Sequence, residues 1–178
     1  MPPTSHERRC LDAPFFALSF GAYSILLVMM TLFKNRMSLG GLWQTSSHQY
    51  RSIDLQLFNG FDRPALWWAP WVDTLGNVAL FLPLGFFVYQ ALRHFRRSRF
   101  SFIETVLFAG LTSLVIELLQ WVFAIGFSDV DDLLCNTVGG LIGATIAVVS
   151  SSTSRRILSA FTLAGSLIVM AIMVHSAL

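Results

Sequence analysis

Residues 14–33 carry no charged side chain, and a helix of about 20 apolar residues is long enough to cross the hydrocarbon core of a bilayer. Four later stretches, 74–92, 101–125, 132–149 and 157–174, are comparably long and mostly apolar. In lipid each backbone N–H and C=O must find its partner within the protein, so runs of this length fold as helices. The sequence therefore predicts an all-α fold, a polytopic membrane helix bundle of five transmembrane helices. Composition points the same way. The chain is 54% hydrophobic and 12% charged, where a soluble domain is roughly 25% charged, and its mean hydropathy is +0.64. An ordinary water-soluble domain is excluded.

The first apolar core is longer than that of a secretory signal peptide and lacks a small-residue cleavage site, so it reads as a retained helix. Residues 1–13 form a polar N-terminal tail, and residues 14–178 a single transmembrane domain. The connection after the first helix holds Trp43, Trp67, Trp68 and Trp71, with Pro64 and Pro70 as breakers. Its Ala65–Trp71 piece resembles an interfacial segment in the first outer loop. Tryptophan favours the headgroup zone, where an apolar ring and a polar N–H are both satisfied. Trp121 falls at the same boundary. Pro83 predicts a kink in the second helix. With the N-terminus in the cytoplasm and the C-terminus outside, the inner side holds eight basic residues and the outer side four, as the positive-inside rule requires. The basic residues sit at segment ends and the net charge is only +2, which excludes a nucleic-acid partner. Arg93, Arg96, Arg97 and Arg99 read as a topogenic loop.

Polar side chains inside such helices are costly and mark sites of structure or function. The third helix places Gly110, Ser113, Glu117, Gln120 and Ala124 on one face. The fourth carries Asp132, Asn136, Gly139, Gly143 and Ala147, and its Gly139–Gly143 spacing admits close approach of a neighbouring backbone. The short outer loop makes these two helices antiparallel neighbours, and Gln120 and Asn136 fall at nearly matching depths. Glu117 is either a proton-carrying or substrate-binding carboxylate, or a structural acid bonded to Gln120, Asn136 or Asn77. Glu104 lies one turn from Arg97 and Arg99 and reads as structural. In the Asp129–Asp132 loop, Asp131 or Asp132 suits the cap of the fourth helix; capping explains one or two of the three aspartates. Cys10 and Cys135 fall on opposite halves of the membrane, so they read as isolated thiols. The scattered histidines and the acidic spacing give no metal set and no cofactor.

Asn77-Val-Ala-Leu-Phe-Leu-Pro-Leu-Gly-Phe86, Glu117-Leu-Leu-Gln120 and Asp129-Val-Asp-Asp132-Leu-Leu-Cys-Asn136-Thr-Val-Gly-Gly140 together resemble the second, third and fourth helices of the VanZ-like family. The resemblance implies a bacterial integral protein of the inner membrane. It also implies a role related to the envelope or to antibiotic resistance, the family being named for a member that raises resistance to the glycopeptide teicoplanin. Two departures stand out. Gly126, Phe127 and Ser128 occupy a loop where relatives often carry an Arg, and the family's Asn-Leu-x-Pro-Phe-like piece is blurred into Asp54–Phe58. The expected function is binding of a lipid-like or glycopeptide-like ligand, or of a partner protein, at the outer leaflet, through Asn77, Glu117, Gln120, Asp129, Asp131, Asp132 and Asn136. One alternative is an enzyme acting on a lipid-linked envelope precursor, with Glu117 and Asp132 as acid and base. Another is a proton-coupled transporter or flippase using Glu117, assembled as a homo-oligomer through the Gly139–Gly143 face or the last helix. Membrane lipid is a partner in every reading.

Overall fold

The computed structural model describes residues 5–32, 53–62, 64, 66–96, 99–123 and 128–177, with side chains described within residues 13–176. Trp43, Arg97 and residues 124–127 lie outside them. Five helices run over Ser5–Leu32 (α1), Ala69–Phe95 (α2), Ser101–Phe123 (α3), Val130–Val149 (α4) and Ser152–Ala177 (α5). All five are long and apolar enough to cross a membrane. Two-residue strands, Ile53–Asp54 (β1) and Ser128–Asp129 (β2), pair in parallel, and a 3-10 turn covers Asn59–Phe61.

Helices α1, α2 and α5 each start five or more residues ahead of expectation, and α4 starts two ahead. Helix α1 begins at Ser5 rather than at residue 14, so the polar tail is helical over much of its length. Helix α2 begins at Ala69 rather than at residue 74, with Pro70 in its first turn; there the missing N–H of proline costs nothing and its fixed φ suits the helix. Pro70 thus starts the helix instead of breaking the chain, and Trp71 becomes a helical residue. Helix α5 begins at Ser152 rather than at residue 157. The Ser151 hydroxyl accepts the Ser154 N–H at 3.2 Å, which caps the new first turn and draws Arg155 and Arg156 into the helix. Helix α2 runs unbroken through Pro83.

The bundle is organised around the seam between α2 and α4. A β-carbon at Gly139 would strike the Val78 carbonyl, one at Gly143 the Leu82 carbonyl, and one at Gly85 the carbonyl of Gly140. The Gly139–Gly143 spacing therefore serves contact within the chain: α2 fills the face that could otherwise have joined two copies. Lipid tails are as apolar as leucine, so helices in a membrane associate through fit and hydrogen bonds more than through expulsion of water. Helix α3 closes the other side of α4, where Gly140 faces the Ala109 methyl. Helix α1 covers α2 with an aromatic cluster centred on Phe87, whose ring lies 5.3 Å from Phe16 and 5.4 Å from Phe20. The buried Tyr23 hydroxyl donates to the Leu80 carbonyl of α2. Helix α5 packs on α1, with Ser159, Ser166 and Met173 buried at seven-residue intervals. At the basic end the exposed Arg96 and the half-buried Glu104 approach to 3.9 Å, a surface pair of small energetic weight.

Tyr23→Phe keeps the ring packing and removes one interhelical hydrogen bond. A loss of about 0.6–1.5 kcal/mol is expected, read as a lowered unfolding midpoint in mixed micelles. No change would mean that α1 is held by its rings alone.

Candidate functional site

One face of α3 carries Ser113, Glu117 and Gln120, and all three are buried. Across the seam the α4 residue Asn136 is 3% exposed. Its side-chain amide donates to Ser113 Oγ at 2.9 Å. Gln120 reaches the other way and donates from Nε2 to the Thr31 carbonyl of α1 at 3.0 Å. The two amides therefore stitch α3 to different neighbours. Gln120 Oε1 and Asn136 Oδ1 accept no hydrogen bond from the described residues, so each presents a lone acceptor inside the bundle.

Glu117 holds the loop between α3 and α4. Its Oε2 accepts the Asp129 backbone N–H at 2.9 Å, and its own carbonyl accepts the Ser128 hydroxyl at 2.7 Å. The chain is thereby folded back over the end of α3 and delivered to the start of α4.

Each of the three loop aspartates has its own task. Asp129, not Asp131 or Asp132, caps α4: its backbone is extended and its carboxylate accepts the Asp131 N–H at 2.8 Å. The cap falls there because the helix already begins at Val130. Asp131 and Asp132 occupy the first turn, where negative charge meets the positive end of the helix dipole. Both Asp131 oxygens accept the Phe58 N–H, at 2.9 and 3.0 Å. Asp132 accepts from the Asn77 side chain of α2. Glu117 and Asp132, the candidate acid and base, are thus held by different groups.

The sequence reading missed the part played by residues 53–62. Asp54 accepts the Gln56 N–H at 2.9 Å and Asn59 Nδ2 at 2.6 Å, making a tight local turn. Strand pairing sets Ile53 beside Ser128 and Asp54 beside Asp129. The signal was present as an Asp followed five residues later by Asn-Gly, a composition typical of turns. What local sequence does not encode is the docking of that turn onto α4.

Between this segment, the start of α2 and the start of α4 lies an open cavity of about 380 Å³. Phe61, Pro64, Leu66, Trp68 and Val72 give it an apolar side, and Asp73, Asp129, Asp131 and Asp132 an acidic one. Cys135, a buried free thiol, also lines it. Trp67 and Trp71 are exposed beside it, and Trp71 meets the Phe61 ring edge-on at 5.1 Å. Trp121, near the end of α3, is also exposed. Burial pushes the Asp129 carboxyl above its ordinary range, and the neighbouring Asp131, Asp54 and Asp73 carboxylates push the same way. Asp54 moves down, because Gln56 N–H and the Asn59 amide favour its charged form. Of the expected binding residues, Asp129, Asp131 and Asp132 line the cavity, and Asn77 joins it through Asp132. Glu117 supports it from behind through Asp129. Asn136 and Gln120 lie in the seams of α3.

A family model described as VanZ/LLP1 matches residues 20–151. Protein VanZ of Enterococcus faecium is 27% identical over 121 residues, which cover 68% of this chain and 66% of that protein, just under two thirds of its length. No solved structure gives a significant match.

Proposed function

Because the chain belongs to the VanZ/LLP1 family, we propose that it is a bacterial inner-membrane protein that binds an amphipathic ligand at its acidic end. That end faces outward in this reading, with the N-terminus in the cytoplasm, since the opposite topology would put eight of the twelve Lys and Arg residues outside. The ligand is lipid-like or glycopeptide-like. Its role in antibiotic resistance or envelope maintenance follows from the teicoplanin link of the family.

The observation that carries this proposal is the two-sided cavity. Its apolar wall suits an acyl chain or aromatic ring arriving from the outer leaflet, and its aspartates suit a cationic group on the same molecule. Trp67 and Trp71, exposed at its edge, support an opening at headgroup depth, the zone tryptophan favours. Asp129, Asp131 and Asp132 are each held by a different backbone or amide donor, which orients these carboxylates and lowers the ordering cost of binding.

The test is titration of the full chain in lipid nanodiscs with teicoplanin and with a glycopeptide lacking the acyl chain. Saturable binding of the acylated compound is expected, weaker for the other. Asp131→Asn retains an acceptor for the Phe58 N–H and removes the charge, and Trp68→Ala opens the apolar wall. Each is expected to raise Kd by about tenfold, the equivalent of 1.4 kcal/mol. An absence of saturable binding, or equal affinity in both variants and wild type, would refute the assignment.

A further inference from the structure

Segment 53–62 forms one wall of the cavity, through Asn59, Gly60 and Phe61. Good contacts hold it to the start of α4: the β1–β2 pairing and the Phe58 N–H on Asp131. Two features work against them. The strand register pairs Asp54 with Asp129, close enough for the Asp54 charge to oppose a charge on Asp129, and like charges on paired residues disfavour pairing. Phe58 has φ 57° and ψ 23°, in the left-handed region, which costs a residue with a β-carbon about 1–2 kcal/mol. Favourable bonds thus meet opposing loads in one short element, and the charge on Asp129 is one of those loads.

We propose that this wall is a proton-operated latch: a neutral Asp129 closes segment 53–62 onto the start of α4, and a charged Asp129 releases it, so that protons regulate access to the cavity. The regulatory meaning rests on the reading of that cavity as a ligand site; the motion itself does not. The charged groups facing Asp129 among the described residues are all carboxylates. Asp54 comes from β1, Asp73 from α2, Asp131 from the first turn of α4, and Glu117 from α3 through the Asp129 N–H. The Cys135 thiol lies within reach of the same charges. Burial and these neighbours favour the proton on Asp129 and outweigh the Asp131 N–H, which favours its charge, whereas Asp54 is stabilised as a carboxylate by donors within its own segment. Asp54 therefore keeps its charge in both positions, and Asp129 is the group that relieves the repulsion. The sign follows from linkage. Closure raises the affinity of Asp129 for a proton, so the closure constant grows as pH falls through the closed-state value. The gain is up to about tenfold for each unit separating the closed and open values. Below the lowered range of Asp54 the turn loses its charged acceptor, so closure is strongest in mild acid.

The experiment places nitroxides at Leu57 and Leu75, both exposed, in a chain with Cys10→Ser and Cys135→Ser. Distance distributions in nanodiscs are recorded at one mildly alkaline and one mildly acid pH. The short-distance fraction is expected to rise several-fold at the lower pH. Asp129→Asn keeps an acceptor for the Asp131 N–H and drops the charge, so it is expected to show the short distance at both pH values. Distributions that do not change with pH, or a pH response that persists unaltered in Asp129→Asn, would overturn the latch. No ligand enters this measurement, so failure of the latch and failure of the ligand assignment give separate results.

Discussion

Alanine at Gly143 is expected to lower the stability of the folded bundle by about 3 kcal/mol, the upper part of the range for overpacking a tight core. The added methyl would overlap the Leu82 carbonyl oxygen and lie 2.8 Å from Phe86 N. These are backbone atoms of α2, which no rotamer change can move aside, so relief requires α2 and α4 to separate along their length. Separation would also pull Asp132 from Asn77 at the acidic end, which couples the seam to the cavity. Reversible unfolding in mixed micelles gives the measurement, with Gly165→Ala as the comparison. That glycine lies in α5 with nothing within 4 Å of a β-carbon, so its replacement is expected to be close to neutral. A shift at Gly143 no larger than that at Gly165 would mean that the α2–α4 seam is looser than its geometry.

The number and spacing of the helices were legible because a bilayer permits few alternatives: long apolar runs must pair their own backbone groups. The small-residue spacing in α4 was legible as a contact face, but its partner was not. Gly139 and Gly143 accept any smooth backbone, and only the fold shows that the Val78 and Leu82 carbonyls of α2, in the same chain, fill that place. Helix starts were the least legible part. Pro70 is read equally well as a breaker or as a first-turn residue, because a fixed φ and a missing N–H suit both. In the site, Glu117, Gln120 and Asn136 were recognisable as buried because lipid leaves such groups nowhere else to go. Their individual partners were not, since an amide satisfies donors or acceptors from any side. The docking of residues 53–62 was least accessible of all: it joins positions about 75 apart in the chain through a parallel pairing of two residues on each side.

Glu117→Ala is expected to destabilise the protein by about 2–3 kcal/mol, mainly by leaving the partly buried Asp129 N–H without its acceptor. The carboxylate works at a distance from the cavity. It fixes the backbone at Asp129, Asp129 caps α4, and the capped helix presents Asp131 to Phe58 and Asp132 to Asn77. Loss of Glu117 should therefore loosen the acidic end as a unit, seen as faster amide exchange at Phe58 as well as at Asp129. Glu117→Gln separates hydrogen bonding from charge, because the glutamine carbonyl can still accept the Asp129 N–H. If anchoring is the whole role of this side chain, Glu117→Gln folds with near wild-type stability and protects both amides. If Glu117→Gln is as damaging as Glu117→Ala, the charge itself is required inside the bundle, and a proton-carrying role regains its claim. A silent Glu117→Ala would remove both readings, since a buried carboxylate that neither anchors nor titrates has no physical reason to lie between α3 and the α4 cap.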